Sequence, residues 1–260
     1  MNTRAAAVAG YFYDANPNQL RHDVSQLLRA ESAAIDTLPE ALIVPHAGYI
    51  YSGSTAASAF KCLEIDPDQV NRVLLIGPAH RVLVDGMAIP SADCFATPFG
   101  DIELDHDALA RIRDLPGVCV MDEAHRQEHS LEVQLPFLQT VLHEFKLVPV
   151  LVGGATPTMV AGVVDALAGD PHTLVVISSD LSHFLDYDAA RAKDAKTCQL
   201  IQNRATTLSG SQACGAAAIN GLMASRWSKD LQISLLKACN SGDTAGPRDR
   251  VVGYAAFALY

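Results

Sequence analysis

Short apolar runs bounded by Pro and Gly recur along the chain, and two of them lead directly into a histidine. Ala41-Leu42-Ile43-Val44 passes through Pro45 to His46. Val73-Leu74-Leu75-Ile76 passes through Gly77-Pro78-Ala79 to His80. A strand covered on both faces has no solvated side to alternate with, so an unbroken, β-branched-rich run of this kind predicts a buried strand. The strongest run is Thr173-Leu174-Val175-Val176-Ile177-Ser178-Ser179, and Asp180-Leu181-Ser182-His183 follows it at once. Similar patterns predict strands over 118–121, 146–152, 231–236 and 251–259, and an extended stretch over 82–90.

Between these runs the spacing changes to that of helices. Asp14-Ala15-Asn16-Pro17 reads as a cap and start, and the helix after it puts Leu20, Val24, Leu27 and Leu28 on one face. Small residues from Ser54 to Ala59 predict a helix lying close on the sheet. Helices are also expected over 105–113, 159–167, 189–203 and 215–225. Ser130 is read as an N-cap, with Leu131, Leu135, Leu138 and Leu142 at helical spacing and Pro136 bending that helix or standing near its start. Residues 95–99 read as a turn-rich extended stretch. Strands alternating with helices predict an α/β fold, with a central mostly parallel or mixed sheet flanked by helices. No linker, low-complexity tract or repeat interrupts residues 1–260, so a single domain is expected.

Composition narrows the function classes. Apolar residues make up 49% and charged ones 18%, which suits a sheet buried under helices. A net charge of −10 argues against nucleic acid or an anionic membrane surface as partner. No apolar stretch reaches the length of about 18 residues that a membrane-spanning helix needs. The apolar part of the first ten residues is too short for a secretion signal, so a cytoplasmic location is expected. The six cysteines, at 62, 94, 119, 198, 214 and 239, form no C-x-x-C pair and read as reduced, buried small hydrophobes. The composition permits a homo-oligomer without requiring one.

In an open α/β sheet, ligands bind beyond the carboxyl ends of the strands. Two imidazoles, His46 and His80, brought to that edge from separate strands predict a metal site or an acid/base pair. Glu128/His129, Asp180/His183 and the loop around Gly242-Asp243 also fall at such junctions. His22, His106, His143 and His172 lie in surface helices or loops and read as solvated side chains. No H-e-x-x-H motif is present, so spacing alone does not separate these possibilities.

Pro45-His46-Ala47-Gly48-Tyr49-Ile50-Tyr51-Ser52-Gly53 closely resembles the signature of the Memo-like family. The resemblance continues, in order and over essentially the whole chain, through Gly77-Pro78-Ala79-His80, Glu128-His129-Ser130-Leu131-Glu132, Leu135-Pro136-Phe137 and Ser178-Ser179-Asp180-Leu181-Ser182-His183. It ends with Cys214-Gly215 and Gly253-Tyr254-Ala255-Ala256. The chain is thereby similar to the AmmeMemoRadiSam system protein B group.

That resemblance implies a fold like the class III extradiol dioxygenases of LigB type, which hold Fe(II) on two histidines and a carboxylate with positions left open. It implies His46 and His80 as metal ligands. The third family ligand lies in the late loop, where some members carry cysteine. Asp243 is the matching candidate here, with Cys239 as its competitor. A carboxylate there shifts the expected metal toward Fe(II), with zinc or copper as alternative occupants. Asp180 and His183 match the family's non-ligand active-site pair, which makes His183 an acid/base candidate, with Asp180 either orienting it or supporting a metal ligand from behind. His129 is a second acid/base candidate, with Glu128 as its orienter or as an ordinary helix-terminal acid. Tyr49 and Tyr51 are expected to line the substrate pocket or to pack at the turn. The resulting expectation is a metal-dependent redox enzyme acting on a small organic substrate. The alternatives are a binding module that holds a peptide or small anion in the same cleft, and a zinc-type hydrolase.

Overall fold

A computed structural model describes residues 2–260. Its strands, in chain order, are β1 (Thr3–Arg4), β2 (Ala41–Val44), β3 (Arg72–Pro78), β4 (Met87–Ile89), β5 (Cys94–Thr97), β6 (Gly100–Glu103), β7 (Val118–Val120), β8 (Lys146–Val152), β9 (Thr173–Ser178), β10 (His183–Leu185), β11 (Ile233–Asn240) and β12 (Val251–Leu259). The helices are α1 (Pro17–Arg29), α2 (Tyr49–Phe60), α3 (His106–Arg113), α4 (Asp122–Arg126), α5 (Leu135–Val141), α6 (Pro157–Leu167), α7 (Tyr187–Gln202) and α8 (Ala216–Ala224).

The sheet is mixed. Strands β2, β9, β3 and β8 lie side by side and parallel, and their residues are almost all buried. Burial on both faces explains why these strands read as continuous apolar runs. Each fully covered Leu, Ile or Val there contributes about 1.5–3 kcal/mol relative to exposure. Antiparallel β12 closes one side on β2 and carries β10 and β11, while β4 and β7 extend the other side. A small second sheet pairs β1 with β5 and β5 with β6, which ties the start of the chain to its middle.

Helix starts follow local chemistry. The Asn16 side chain accepts the N–H groups of Asn18 and Gln19, and Pro17 opens α1, whose Leu20, Val24 and Leu28 are buried. Asp105 caps α3 in the same way. Ser130 does not act as an N-cap. Its hydroxyl donates to Pro78 O, and a 3-10 turn over Glu132–Gln134 leads into the short α5. No helix among the described residues is long and apolar enough to cross a membrane.

Parallel pairing aligns the carboxyl ends of β2, β9 and β3 at one edge, in register from Val44 opposite Ser178 to Ile76 opposite Ile177. Gly77 is what lets the 128–131 segment reach that edge. A Cβ there would come within 2.9 Å of Leu131 Cδ2 and 3.1 Å of Ser130 Oγ. The close approach brings Glu128 and His129 alongside His80.

Candidate metal centre

His46 and His80 each stand two residues beyond a strand of this edge, and His129 arrives from the segment that Gly77 admits. One ligating atom from each of the three lies within 4.8 Å of the other two. His46 is buried, His129 is partly buried and His80 is exposed.

Hydrogen bonding settles which face each ring presents. Ser178 Oγ donates to Ser130 O at 2.5 Å and accepts from Gln134 Nε2, so its contact with His46 Nδ1 at 2.9 Å must be a bond donated by the imidazole. The lone pair of His46 is therefore on Nε2, which faces Cys214 Sγ at 3.2 Å. His80 Nδ1 lies 2.9 Å from Glu128 Oε1, which as a carboxylate can only accept, so neutral His80 also keeps its lone pair on Nε2. His129 differs. Its buried Nδ1 comes within 3.2 Å of Glu128 Oε1 without hydrogen-bond geometry and has no hydrogen-bond partner among the described residues. A buried, orphaned imidazole nitrogen beside two oriented lone pairs fits a site built for an ion.

Glu128 organises the centre. Its carboxylate accepts the backbone N–H groups of His80 (2.5 Å), His129 (2.9 Å) and Ser130 (2.9 Å), besides the His80 ring. Burial opposes its ionisation. The adjoining His129 and His80 outweigh burial and hold the carboxyl well below the usual carboxylate range. Glu128 thus braces the His80 ring and the backbone of His129, and its Oε1 lies 3.2 Å from Nδ1 of the His129 ring. Burial lowers His46 to a pKa of about 4, against the opposing charge of Asp180, so this ring is neutral and ready to ligate. Asp180 Oδ1 accepts the His46 N–H at 2.7 Å. Burial, with the Asp180 charge, pushes the Cys214 thiol up to about 12, so it meets His46 as a neutral S–H.

Residues 4–258 match the family described as Memo-like protein. The chain belongs to that family. This Memo-like chain is 34% identical to a MEMO1 family protein of Aquifex aeolicus, over 98% of both chains. It is 31% identical to one from Saccharolobus solfataricus, over 97% of this chain and 98% of that one. Its fold is similar to the crystal structure of an uncharacterized protein from Escherichia coli K12, with a TM-score of 0.56 and 12% identity over 85% of this chain and 99% of the other.

Other residues expected at the Memo-like site fall elsewhere. Asp243, expected as the carboxylate ligand, does not join the three histidines. It closes a capping box with Asn240, accepts the Tyr187 hydroxyl, and lines a separate cleft between α7 and β11. Its competitor Cys239 lines the same cleft and contacts Thr55 Oγ1 at 3.0 Å. A carboxylate spent on its own turn is not free for an ion, and the third side chain of the cluster is His129. Asp180 is hydrogen-bonded to His46 rather than to His183. The His183 Nδ1 donates to Leu181 O at 2.9 Å, which leaves its Nε2 lone pair free. Tyr49 packs on Tyr13 and Phe137 and donates its hydroxyl to Val133 O, so it serves the turn rather than a pocket. Tyr51 is partly buried on the first turn of α2. The sequence reading left Cys214 without a role, although it stands in the matching Cys-Gly pair. A Cβ on Gly215 would lie 2.7 Å from Ser178 O, so only glycine lets this turn close on the sheet edge.

Outside the cluster, buried His125 donates through Nε2 to Ala88 O and is lowered to a pKa of about 4, chiefly by burial. A histidine whose folded pKa is depressed takes up its proton first in the unfolded chain. The stability it contributes is intact above pH 6.5 and drains as pH falls toward 4. Urea unfolding at pH 7.5 and pH 5 is expected to show a loss of about 2 kcal/mol that His125→Gln removes, on top of any loss shared by both proteins. Equal pH losses in both proteins would refute it.

Proposed function

We propose that this protein is a metal-dependent enzyme that takes one transition-metal ion on His46, His80 and His129 and performs iron-type redox chemistry on a small organic substrate. The observation that carries the reading is the convergence of three imidazole nitrogens within 4.8 Å at the sheet's carboxyl edge. Three imidazoles suit iron, copper, nickel or zinc and leave coordination positions open to a small molecule. A bound iron would supply Lewis acidity and electron exchange with O₂. No carboxylate offsets the ion's charge among the three donors, which favours a substrate that binds as an anion, such as a deprotonated enediol. The chain's own residues supply the rest. Glu128 and Ser178 keep two rings in the ligating tautomer, Asp180 holds the His46 backbone, and the free Nε2 of His183 is a base at the same edge.

Aerobic oxygen uptake by the iron-loaded protein, surveyed over catechols and other enediols, tests this. Substrate-dependent uptake above that of free iron is expected. No stimulation by any of them, together with loss of the loaded iron, would overturn the redox assignment. The all-imidazole donor set also favours a second reading, hydrolysis by a zinc-bound water. Retained zinc with ester hydrolysis and no oxygen uptake would select it.

A further inference from the structure

The three imidazoles are not held alike. Ser178 anchors the His46 ring and Glu128 the His80 ring, whereas the His129 ring makes no hydrogen bond through its buried Nδ1. Apart from the contact of that nitrogen with Glu128 Oε1 at 3.2 Å, ring packing fixes it. It stacks on His80 (centroids 4.8 Å apart, planes 21°), meets His46 edge-on (5.5 Å, 88°) and lies against Phe12 (4.8 Å, 45°). Two of these neighbours belong to the cluster itself. Phe12 is the aromatic neighbour from outside it.

Phe12 stands on a turn that is itself bound to the ligand-bearing segment. Val8 O accepts the N–H groups of Tyr11 and Phe12, Gly10 takes φ +82°, and Phe12 O accepts the Tyr49 N–H at 2.8 Å. Glu132, one turn beyond His129 and fully buried, receives this whole strap. Its Oε1 accepts Val8 N–H (3.0 Å) and the Tyr13 hydroxyl (2.6 Å). Its Oε2 accepts Ala7 N–H (2.7 Å) and the Arg4 guanidinium. The same guanidinium donates to His125 O and Glu128 O, on the other side of His129. The first residues of the chain thus bracket the His129 segment from both ends.

We propose that residues 4–13 form a wall of the metal centre and that Phe12 is a positioning residue, its ring face setting the rotation of the His129 imidazole toward the ion. This rests on the reading of the three histidines as a metal centre. Without the ring, His129 loses the packing face that lies outside the cluster, and the centre leans more on His46 and His80.

Cobalt(II) is the probe, followed by competition titration and by the visible absorption bands that report its coordination number. Phe12→Ala is expected to lose roughly tenfold in Co(II) affinity, the scale of a lost supporting contact, and to change the visible spectrum. Phe12→Tyr should restore both. Tyr11→Ala, on the same turn but 88% exposed, should match wild type. If Phe12→Ala does not fold, Phe12→Leu keeps the apolar bulk, removes the ring face and carries the same comparison. A folded Phe12 variant with wild-type affinity and spectrum, beside a His129→Ala that loses both, would overturn the inference and leave the metal centre standing. Failure of the wild-type chain to bind Co(II) would overturn both.

Discussion

His46→Ala should strip the protein of its metal. Purified without chelator or polyhistidine tag, the wild-type chain is expected to hold about one transition-metal ion, and the variant to lose at least tenfold in affinity, since even the loss of a ligand's support costs 10–100-fold. The effect is large because His46 is the most constrained donor. It is 2% exposed, neutral, and fixed by Ser178 with its lone pair on Nε2. Alanine removes the donor nitrogen altogether, and the neighbouring Cys214 thiol could take an ion only by losing its proton. His80→Ala should behave similarly. His143→Ala, at an exposed position, should keep the wild-type content. Elemental analysis and a chelator competition read the result, and unchanged content in both site variants would remove the centre.

Glu132→Ala should be the most destabilising single change. Its carboxylate is fully buried and accepts four donors, one of them the Arg4 guanidinium. Removing it leaves a buried cation without its partner and strands the Tyr13 hydroxyl and two amides. Breaking a buried pair from one side costs about 3–5 kcal/mol. For a chain of this size that is a fall in Tm of roughly 10 °C. Glu132→Gln keeps an acceptor oxygen and should cost less. Replacing Arg4 and Glu132 together by Met should recover part of the loss, because no charge is then left uncompensated. A shift below about 1 kcal/mol for Glu132→Ala would mean that the network makes no net contribution.

The parallel strands were legible because burial on both faces writes itself as an unbroken apolar run, as in Ala41–Val44 and Thr173–Ser178. The same rule took His46 and His80 to the ligand-binding edge. The place of His129 beside them was not legible. Whether Glu128 or His129 faces His46 and His80 depends on how closely their segment passes β3, which turns on the missing side chain of Gly77 and on Ser130 bonding Pro78 rather than capping a helix. Asp243 misled for a local reason. An Asp three residues after an Asn can close a capping box, and here it does, so its charge is used within its own turn. The role of Glu132 was equally hidden, since its partners lie at the other end of the chain.

His46, His80 and His129 come from well-separated stretches, and they meet only when β2, β9 and β3 are already paired in register. Such long-range parallel pairing is a slow and late event in folding. An ion therefore finds no ready chelate in the nascent or denatured chain. An ion taken up as proposed would lock in only once the architecture is complete, raising the stability of the finished molecule by mass action without guiding its assembly.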